Sequence, residues 1–432
     1  SENCGLFGSC PAETAYIDFF TIFIVRIKHF STRTIMKKQL LTAAILCCLV
    51  IAGSTAAPKS AKKKPKIPVS RVQTHMDGYL GDRIDACIRV RVCSEDPDLL
   101  VAPMRRQTET SLWQSEFWGK WTLGAIASYR YNKDPELLRK IEGGVESLLA
   151  AQQPDGYIGN YAPEAQLTNW DVWGRKYTML GLLAYYDLTG DKKALDGTVR
   201  LADHLLTQIP AVRQIERTGI YRGMSSCSIL EPIMLLYNRT LDEKYLDFAR
   251  YIVDRMESAD GPQLIAKALD GVPVSERFPL DDPSRGWFVW ENGQKAYEMM
   301  SCYDGLLELY KVTNDPRYLK AVEATVTSII ADEINIAGSG SSFECFYKGK
   351  ALQTEPAYHT METCVTMTWM KLCYDLLRLT RNPLYADQIE RSAYNALAAS
   401  MKEDASQIAK YSPLEGARSA GEEQCGMHVN CC

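Results

Sequence analysis

The sequence is short of the features that mark several broad classes of protein. Its 432 residues carry a formal net charge of only −4, which gives no reason to expect a nucleic-acid partner. Fourteen cysteines are too few for a scaffold held together by disulfides. The apolar run of residues 40–53 is too short to span a bilayer, and few segments alternate as strands do. The composition, 46% hydrophobic and 24% charged residues, is that of an ordinary globular protein with a large core.

The first 72 residues predict three segments outside the folded domain. Residues 36–57 combine a positive start, the apolar run and a small-residue end, which is the pattern of a secretory signal peptide; a retained anchor is the alternative. Residues 1–35 precede this signal, and we expect them to be a non-native upstream extension. The lysine- and proline-rich residues 58–72 predict a solvated basic linker. We therefore expect a secreted or periplasmic protein with no membrane span after signal cleavage.

A helical hairpin recurs along the rest of the chain. Each copy has an apolar-periodic helix, a short polar turn and a second helix. The turns lie at residues 132–135, 189–191, 240–242, 313–316 and 380–383. An Asp or Asn in each turn caps the second helix, and proline suits its first turn.

Five such hairpins and a less regular sixth near residues 79–92 predict the fold class. Hairpins of this kind need stacked neighbours to bury their apolar faces. The prediction is an all-α fold, an (α/α)6 toroid or barrel of helical hairpins over residues 73–432; an open solenoid is the alternative. The glycine- and serine-rich residues 337–342, followed by residues 343–347, predict a loop that enters a short strand.

Acidic and thiol side chains concentrate in three segments of this domain. Glu362 and Cys364 are two residues apart where a loop meets an apolar helix, so both can reach one ion. Cys431 and Cys432 are adjacent, and Glu344 lies in the predicted short strand. One carboxylate and three thiolates make a tetrahedral set suited to zinc. The alternative from composition alone is one or two disulfides plus buried free cysteines.

These segments resemble the zinc site of the β-L-arabinofuranosidase family of glycoside hydrolases. The resemblance rests on Glu362-Thr363-Cys364 and on Cys431-Cys432 with its lead-in, and it covers residues 75–432. Further similar stretches are residues 116–121, 152–159 and 411–415. The resemblance implies an (α/α)6 barrel followed by β-sandwich domains. Because the chain ends on the cysteine pair, we expect its catalytic domain to be truncated and the β-sandwich domains to be missing.

The resemblance also implies roles for individual residues. The ligands of a Zn²⁺ cofactor would be Glu362, Cys364, Cys431 and Cys432. Cys431 would also be the nucleophile, Glu344 the general acid/base and Tyr411 a contact to the sugar. This chemistry is consistent, because a metal-bound thiol is deprotonated and a retaining glycosidase needs one nucleophile and one acid/base.

Two further aromatic residues are candidate contacts to the sugar. Trp118 belongs to an aromatic cluster with Trp113, Phe117 and Trp121. The ordinary role of such a cluster is in the hydrophobic core, although these rings also stack well on the apolar face of a sugar. Tyr157 follows a tight Asp-Gly turn. The sequence is equally consistent with a structural role in this turn and with a position lining the cleft.

The predicted function is a secreted, retaining, exo-acting glycoside hydrolase on an arabinose-containing glycan. The family's arabinose pocket is rich in histidine, whereas this chain has five histidines, which leaves open a different furanoside or pyranoside. Another toroid carbohydrate-active enzyme, a lyase or a hydrolase that uses carboxylates or Tyr and His side chains, is one alternative. A non-catalytic glycan-binding protein is the other.

Overall fold

The computed structural model describes residues 74–278, 294–351, 360–418, 421, 423–429 and 431. All of them lie in one compact unit, which covers residues 64–432. The predicted upstream extension, signal peptide and basic linker lie outside the described residues, as does Cys432, so what the sequence predicts for them stays a prediction. Within the described ranges, no helix combines the length and the apolar character needed to cross a membrane.

Helical hairpins follow one another along the described chain. The pairs are α1 (Gly78–Cys87) with α2 (Pro97–Arg106), α3 (Ser115–Asn132) with α4 (Pro135–Ala150), α5 (Asp171–Thr189) with α6 (Lys192–Gln208), α8 (Leu230–Thr240) with α9 (Glu243–Met256), α11 (Ala296–Thr313) with α12 (Pro316–Asp332), and α13 (Thr363–Thr380) with α14 (Pro383–Ser392). Three short helices are α7 (Met224–Cys227), α10 (Leu264–Leu269) and α15 (Ala398–Ser400). A π-helical turn extends α1 over Ile88–Val92.

The turn of each hairpin carries a capping residue whose side chain accepts a hydrogen bond from the backbone N–H two residues later. At the five turns predicted from the sequence, the capping residues are Asp134, Asp191, Asp242, Asp315 and Asn382. Asp96 does the same at the start of α2, in the less regular sixth hairpin. Each cap satisfies an N–H group that the first helical turn leaves without a partner. The five predicted hairpins and the sixth are therefore confirmed.

The first helices of the hairpins line the inside of a ring. Helices α3, α5, α8, α11 and α13 pack on one another in this order, and each packs on its own hairpin partner. The hairpin of α1 joins the two ends: its π-helical turn packs on α3, while Arg83 donates to the carbonyl of Lys402 at 2.8 Å and Tyr79 stacks on Tyr394. The fold is therefore the predicted (α/α)6 toroid, and the open solenoid is wrong.

Small residues let the inner helices α3 and α5 approach closely. A Cβ added at Gly119 would lie 2.2 Å from the carbonyl oxygen of Tyr177, and one at Gly174 would lie 1.8 Å from Ser115 Oγ. A methyl group at position 119 would need backbone movement, whereas one at position 174 would need the Ser115 side chain to rotate. This close packing places Lys120 of α3 beside the ring of Tyr177 on α5.

We expect Gly119→Ala to lower the free energy of unfolding by about 1–3 kcal/mol, because the added methyl group overpacks the contact between α3 and α5. Gly124→Ala in the same helix is the matched control. A Cβ there meets nothing within 4 Å, and alanine favours a helix over glycine by up to about 1 kcal/mol. Urea unfolding followed by circular dichroism measures both variants; equal unfolding midpoints would contradict the prediction.

The short strand predicted at residues 343–347 is wrong. Phe343 and Glu344 form a tight turn instead, with φ of 47° and 67°, and backbone hydrogen bonds close it on both sides. Two successive residues with positive φ are the pattern of a type I′ turn. The described part of the chain contains isolated β-bridges and no strand. The apolar pattern of this segment reflects its burial rather than a sheet.

Candidate active site

Glu362, Cys364 and Cys431 form a cluster, the ligand cluster, at the N-terminal end of α13. A carboxylate oxygen and two sulfur atoms of these residues all lie within 4.8 Å of one another. Glu362 and Cys364 are only 2% and 6% exposed, and Cys431 is half-buried. The structure thus brings together three of the four predicted metal ligands, and the fourth, Cys432, lies outside the described residues.

Backbone pairing around the start of α13 holds this cluster in place. Glu362 occupies the N-cap position of the helix, with φ of −58° and ψ of 133°. The neighbouring segment pairs with it: Thr363 N–H donates to the carbonyl of Lys410 at 2.9 Å, and Ser412 N–H donates to the carbonyl of Thr360 at 3.0 Å. A loop–helix junction and a segment far along the chain therefore form one wall of the site.

The ligand cluster fits a divalent metal ion. Oε2 of Glu362 is buried and has no hydrogen-bond partner in the described part of the chain. Burial raises the pKa of Glu362 well above its usual value, and the negative charges of Glu344 and Cys431 raise it further. A bound cation would give the buried oxygen a partner and offset the repulsion between these charges.

Glu344 contacts two lysines and a tyrosine. Its carboxylate forms ion pairs with Lys295 and, at 2.7 Å, with Lys410, and it accepts a hydrogen bond from the Tyr411 hydroxyl at 3.1 Å. Burial alone would raise the pKa of Glu344, but the two ammonium groups outweigh it and hold the pKa below its usual value. The two ammonium groups therefore stabilise the charged form of Glu344.

The segment that contains Lys410 and Tyr411 contacts both Glu344 and the ligand cluster. Tyr411 pairs with Glu362 through its backbone and reaches Glu344 with its hydroxyl. The backbone N–H of Ala296, at the start of α11, donates to the carbonyl of Glu344 at 2.9 Å. The structure thus brings the predicted acid/base, the predicted sugar contact Tyr411 and the ligand cluster to one place.

An ion pair between the buried Glu116 and the half-buried Lys120 adjoins the two cysteines. Glu116 and Lys120 lie one turn apart on α3 and pair at 3.0 Å. Lys120 Nζ also donates to the carbonyl of Cys431 at 2.9 Å and lies 3.8 Å from Cys364 Sγ. The sequence analysis noted residues 116–121 only as a similar stretch and gave the pair no role. Two opposite charges at i and i+4 within an aromatic helix segment were the available signal.

Aromatic rings from two other inner helices surround Lys120. Its Nζ lies 5.3 Å from the ring centre of Tyr177 and 4.9 Å from that of Tyr297. Trp173 meets both rings edge-on, with centroids 5.4 Å and 5.1 Å away, and its indole N–H donates to Glu116. None of these three was predicted as a site residue, because each lies far from the ligands in sequence.

Two predicted sugar contacts lie in the protein interior. Trp118 is fully buried, and its indole N–H donates to the carbonyl of Gly144 at 3.1 Å. Tyr157 is also buried, and its hydroxyl donates to Asp171 at 2.8 Å, in a network with Arg175. Within the described residues, no hydrogen bond or ring contact joins Trp118 or Tyr157 to the ligand cluster. Their contact with a sugar stays a prediction.

Four further cysteines, Cys227, Cys302, Cys345 and Cys373, are buried core residues. The described cysteines form no disulfide with one another, so the disulfide alternative is not seen among them. Cys345 and Cys373 are fully buried, and burial raises the pKa of Cys345 to about 12. His428 pairs with Glu95 at 2.6 Å rather than with the ligand cluster.

Comparisons with known proteins agree with this geometry. The sequence model of the β-L-arabinofuranosidase GH127 catalytic domain matches residues 72–432. A non-reducing end β-L-arabinofuranosidase from Bifidobacterium longum subsp. longum is 22% identical over 322 residues, which are 68% of this chain and 47% of that protein. The crystal structure of a GH127 β-L-arabinofuranosidase from Geobacillus stearothermophilus T6 has a TM-score of 0.61 at 20% identity, covering 80% of this chain and 59% of that one. A second GH127 β-arabinofuranosidase has a TM-score of 0.60 at 20% identity, covering 80% and 57%.

These matches differ in what they establish. The likeness to the solved structures, at 20% identity, shows the fold. The chain spans about half the length of the curated relative that it matches. The family match, in contrast, extends over most of the chain. This chain therefore belongs to the GH127 β-L-arabinofuranosidase family of glycoside hydrolases, and its residues 72–432 correspond to the catalytic domain of that family.

Proposed function

We propose that the chain carries the active site of a retaining glycoside hydrolase, with Cys431 as the nucleophile and Glu344 as the general acid/base. The observation that carries this proposal is the meeting of Glu362, Cys364 and Cys431 within 4.8 Å, on the wall that also holds Glu344. The Bifidobacterium relative is a non-reducing end β-L-arabinofuranosidase. We extend that substrate class to this chain and propose an arabinose-containing glycan as its partner.

Zinc is the cofactor that this set of ligands suits best. Thiolates with one carboxylate favour four-coordinate, tetrahedral Zn²⁺. Glu362, Cys364 and Cys431 would supply three ligands, and Cys432 would supply the fourth. Ligand atoms of such a site lie about 3.8 Å apart, so the cluster needs to contract by about 1 Å at most. When bound, the ion keeps the Cys431 thiol deprotonated near neutral pH.

Cys431 and Glu344 act together in both steps of the reaction. In the first step, the Cys431 sulfur attacks the anomeric carbon, and Glu344 gives its proton to the leaving oxygen as the glycosidic bond breaks. In the second step, Glu344 takes a proton from water, the water oxygen attacks the anomeric carbon, and the Cys431 thiolate leaves. Two displacements at one carbon retain its configuration. The Tyr411 hydroxyl, bonded to Glu344, orients the carboxylate for both transfers.

Glu344→Gln is expected to lower kcat/KM by about 10²–10⁴-fold on alkyl or sugar glycosides, because glutamine neither gives nor takes the proton. Aryl glycosides with an acidic leaving group should lose less activity, since their departure needs no proton. Because Lys295 and Lys410 keep the Glu344 pKa low and the acid must be protonated, wild-type kcat/KM on alkyl glycosides should increase as the pH falls below neutrality.

Initial rates on matched alkyl and aryl glycosides measure this difference, and NMR of the first-formed anomer measures retention. Glu415→Gln, at an exposed position of the same C-terminal segment, is the control and should keep wild-type rates. An equal loss on both classes of glycoside would contradict the acid role of Glu344. A binding protein without catalysis would show no turnover and would keep its affinity in both variants.

We also propose that the protein is secreted or periplasmic. The support is the signal-peptide pattern of residues 36–57.

A further inference from the structure

Lys120 contacts the two described cysteines of the proposed zinc site, Cys364 and Cys431. Its Nζ lies 3.8 Å from the sulfur of Cys364 and donates to the carbonyl of Cys431 at 2.9 Å. The side chain reaches these groups from α3, which contributes no proposed ligand. A half-buried ammonium in such a position calls for an explanation, because removing a charge from water is unfavourable without a compensating partner.

The first explanation is charge. Three thiolates and one carboxylate carry four negative charges, against two positive charges on a zinc ion, so the filled site would hold excess negative charge in a mostly buried environment. The Lys120 ammonium pairs with Glu116 at 3.0 Å and lies 3.8 Å from Cys364 Sγ. Lys120 therefore places a positive charge beside the ligands.

The second explanation is geometry. Among the described residues, the carbonyl of Cys431 accepts a hydrogen bond from the Cys364 thiol at 3.0 Å and another from Lys120. As a metal-bound thiolate, Cys364 has no proton left to donate, so Lys120 remains the donor to this carbonyl. The N–H of Cys431 donates to Gln424 Oε1 at 3.2 Å. Hydrogen bonds then hold the backbone of Cys431 at both its N–H and its carbonyl.

The surroundings of Lys120 make it a rigid support. Its Nζ is bonded to Glu116, which in turn accepts from the indole N–H of Trp173. The rings of Tyr177 and Tyr297 both lie at cation–π distance from the Lys120 Nζ. A long side chain held by five partners does not need to be ordered when substrate binds.

We propose that Lys120 is a positioning residue of the zinc-thiolate site, which offsets the negative charge of the ligands and orients Cys431 through its carbonyl. The inference rests on the proposed function, because it requires a metal at the ligand cluster. It does not require Lys120 to contact the sugar.

The test compares the full wild-type chain with Lys120→Met, with Zn²⁺ alone as the probe. Competition with a chromogenic chelator should show zinc affinity about 10–100-fold weaker in the variant, the usual cost of losing a partner that supports a metal ligand. On an aryl glycoside, kcat should fall about tenfold or more with little change in KM, since positioning acts on the reacting sulfur rather than on binding. Lys193→Met, at an exposed position on α6, is the control and should change neither value.

A Lys120→Met variant with wild-type zinc affinity and wild-type kcat would overturn the inference and leave the proposed function standing. A wild-type chain that binds no zinc would overturn both. If the methionine variant does not fold, as judged by circular dichroism, Lys120→Gln decides in its place. Glutamine keeps a donor for the Cys431 carbonyl but removes the charge, so zinc affinity should fall more than kcat; wild-type zinc affinity in that variant would overturn the inference.

Discussion

Cys431→Ser is expected to lower kcat/KM by at least about 10⁴-fold while the fold remains intact, as removal of a catalytic nucleophile does in other enzymes. Serine has nearly the same size, and the half-buried position should accept it. Its hydroxyl is far less acidic than a thiol and is a poorer ligand for a metal that prefers sulfur. The variant should therefore lose both the nucleophile and part of the metal site. Initial rates on an aryl β-L-arabinofuranoside, with circular dichroism for the fold, measure the outcome.

Cys425→Ser is the matched control for this experiment. Cys425 lies six positions earlier in the same segment and is also half-buried, but burial raises its pKa to about 11, so it stays a thiol at neutral pH. We expect kcat/KM within a factor of two of wild type. Substantial activity in Cys431→Ser, or an equal loss in both variants, would contradict the thiolate mechanism. It would favour a toroid enzyme that works through carboxylates such as Glu344.

Glu362→Ala is expected to abolish zinc binding. Elemental analysis of the purified wild-type chain should find one equivalent of zinc, and the variant should have none after dialysis. Loss of a direct ligand should weaken affinity by more than the roughly 10–100-fold that loss of a supporting residue costs. Because a bound metal stabilises the folded state, a chelator should lower the Tm of wild type by several degrees and leave the variant unchanged.

A second buried glutamate separates loss of the ligand from loss of stability. Glu216 is as buried as Glu362, but it pairs with Arg255 on α9, and none of its hydrogen bonds or ion pairs reaches the ligand cluster. Glu216→Ala should lower the free energy of unfolding and keep its zinc. Retention of zinc by Glu362→Ala, or an equal loss by both variants, would contradict the assignment of Glu362 as a ligand.

The hairpin fold could be predicted because its signals are local. A capping Asp or Asn acts on an N–H two residues away, as Asp134 and Asn382 do, and apolar periodicity acts within one helix. The pair Glu362 and Cys364 was also accessible, since a spacing of two at a loop–helix junction places both side chains near one point. The adjacent Cys431 and Cys432 were candidate metal ligands from the sequence, but the role of Cys431 as nucleophile came only from the resemblance to a family.

The remainder of the site depends on which helices meet. Lys120, Trp173 and Tyr297 lie on three different inner helices, and their contact follows from how closely α3, α5 and α11 pack. No pattern near Trp118 or Tyr157 indicates that one bonds to Gly144 and the other to Asp171 inside the core. The turn at Glu344 was misjudged for the same reason, since burial by distant segments gives a loop the apolar composition of a strand.

For this protein, the sequence by itself determined the helical hairpins, their capped turns and the identity of the acidic and thiol groups, because neighbouring residues interact whatever the rest of the chain does. The tertiary structure alone decided that Glu344 lies between Lys295 and Lys410, and that Lys120 supports the cysteines. Those contacts join residues far apart in the chain, and only the packing of the toroid brings them within reach of one another.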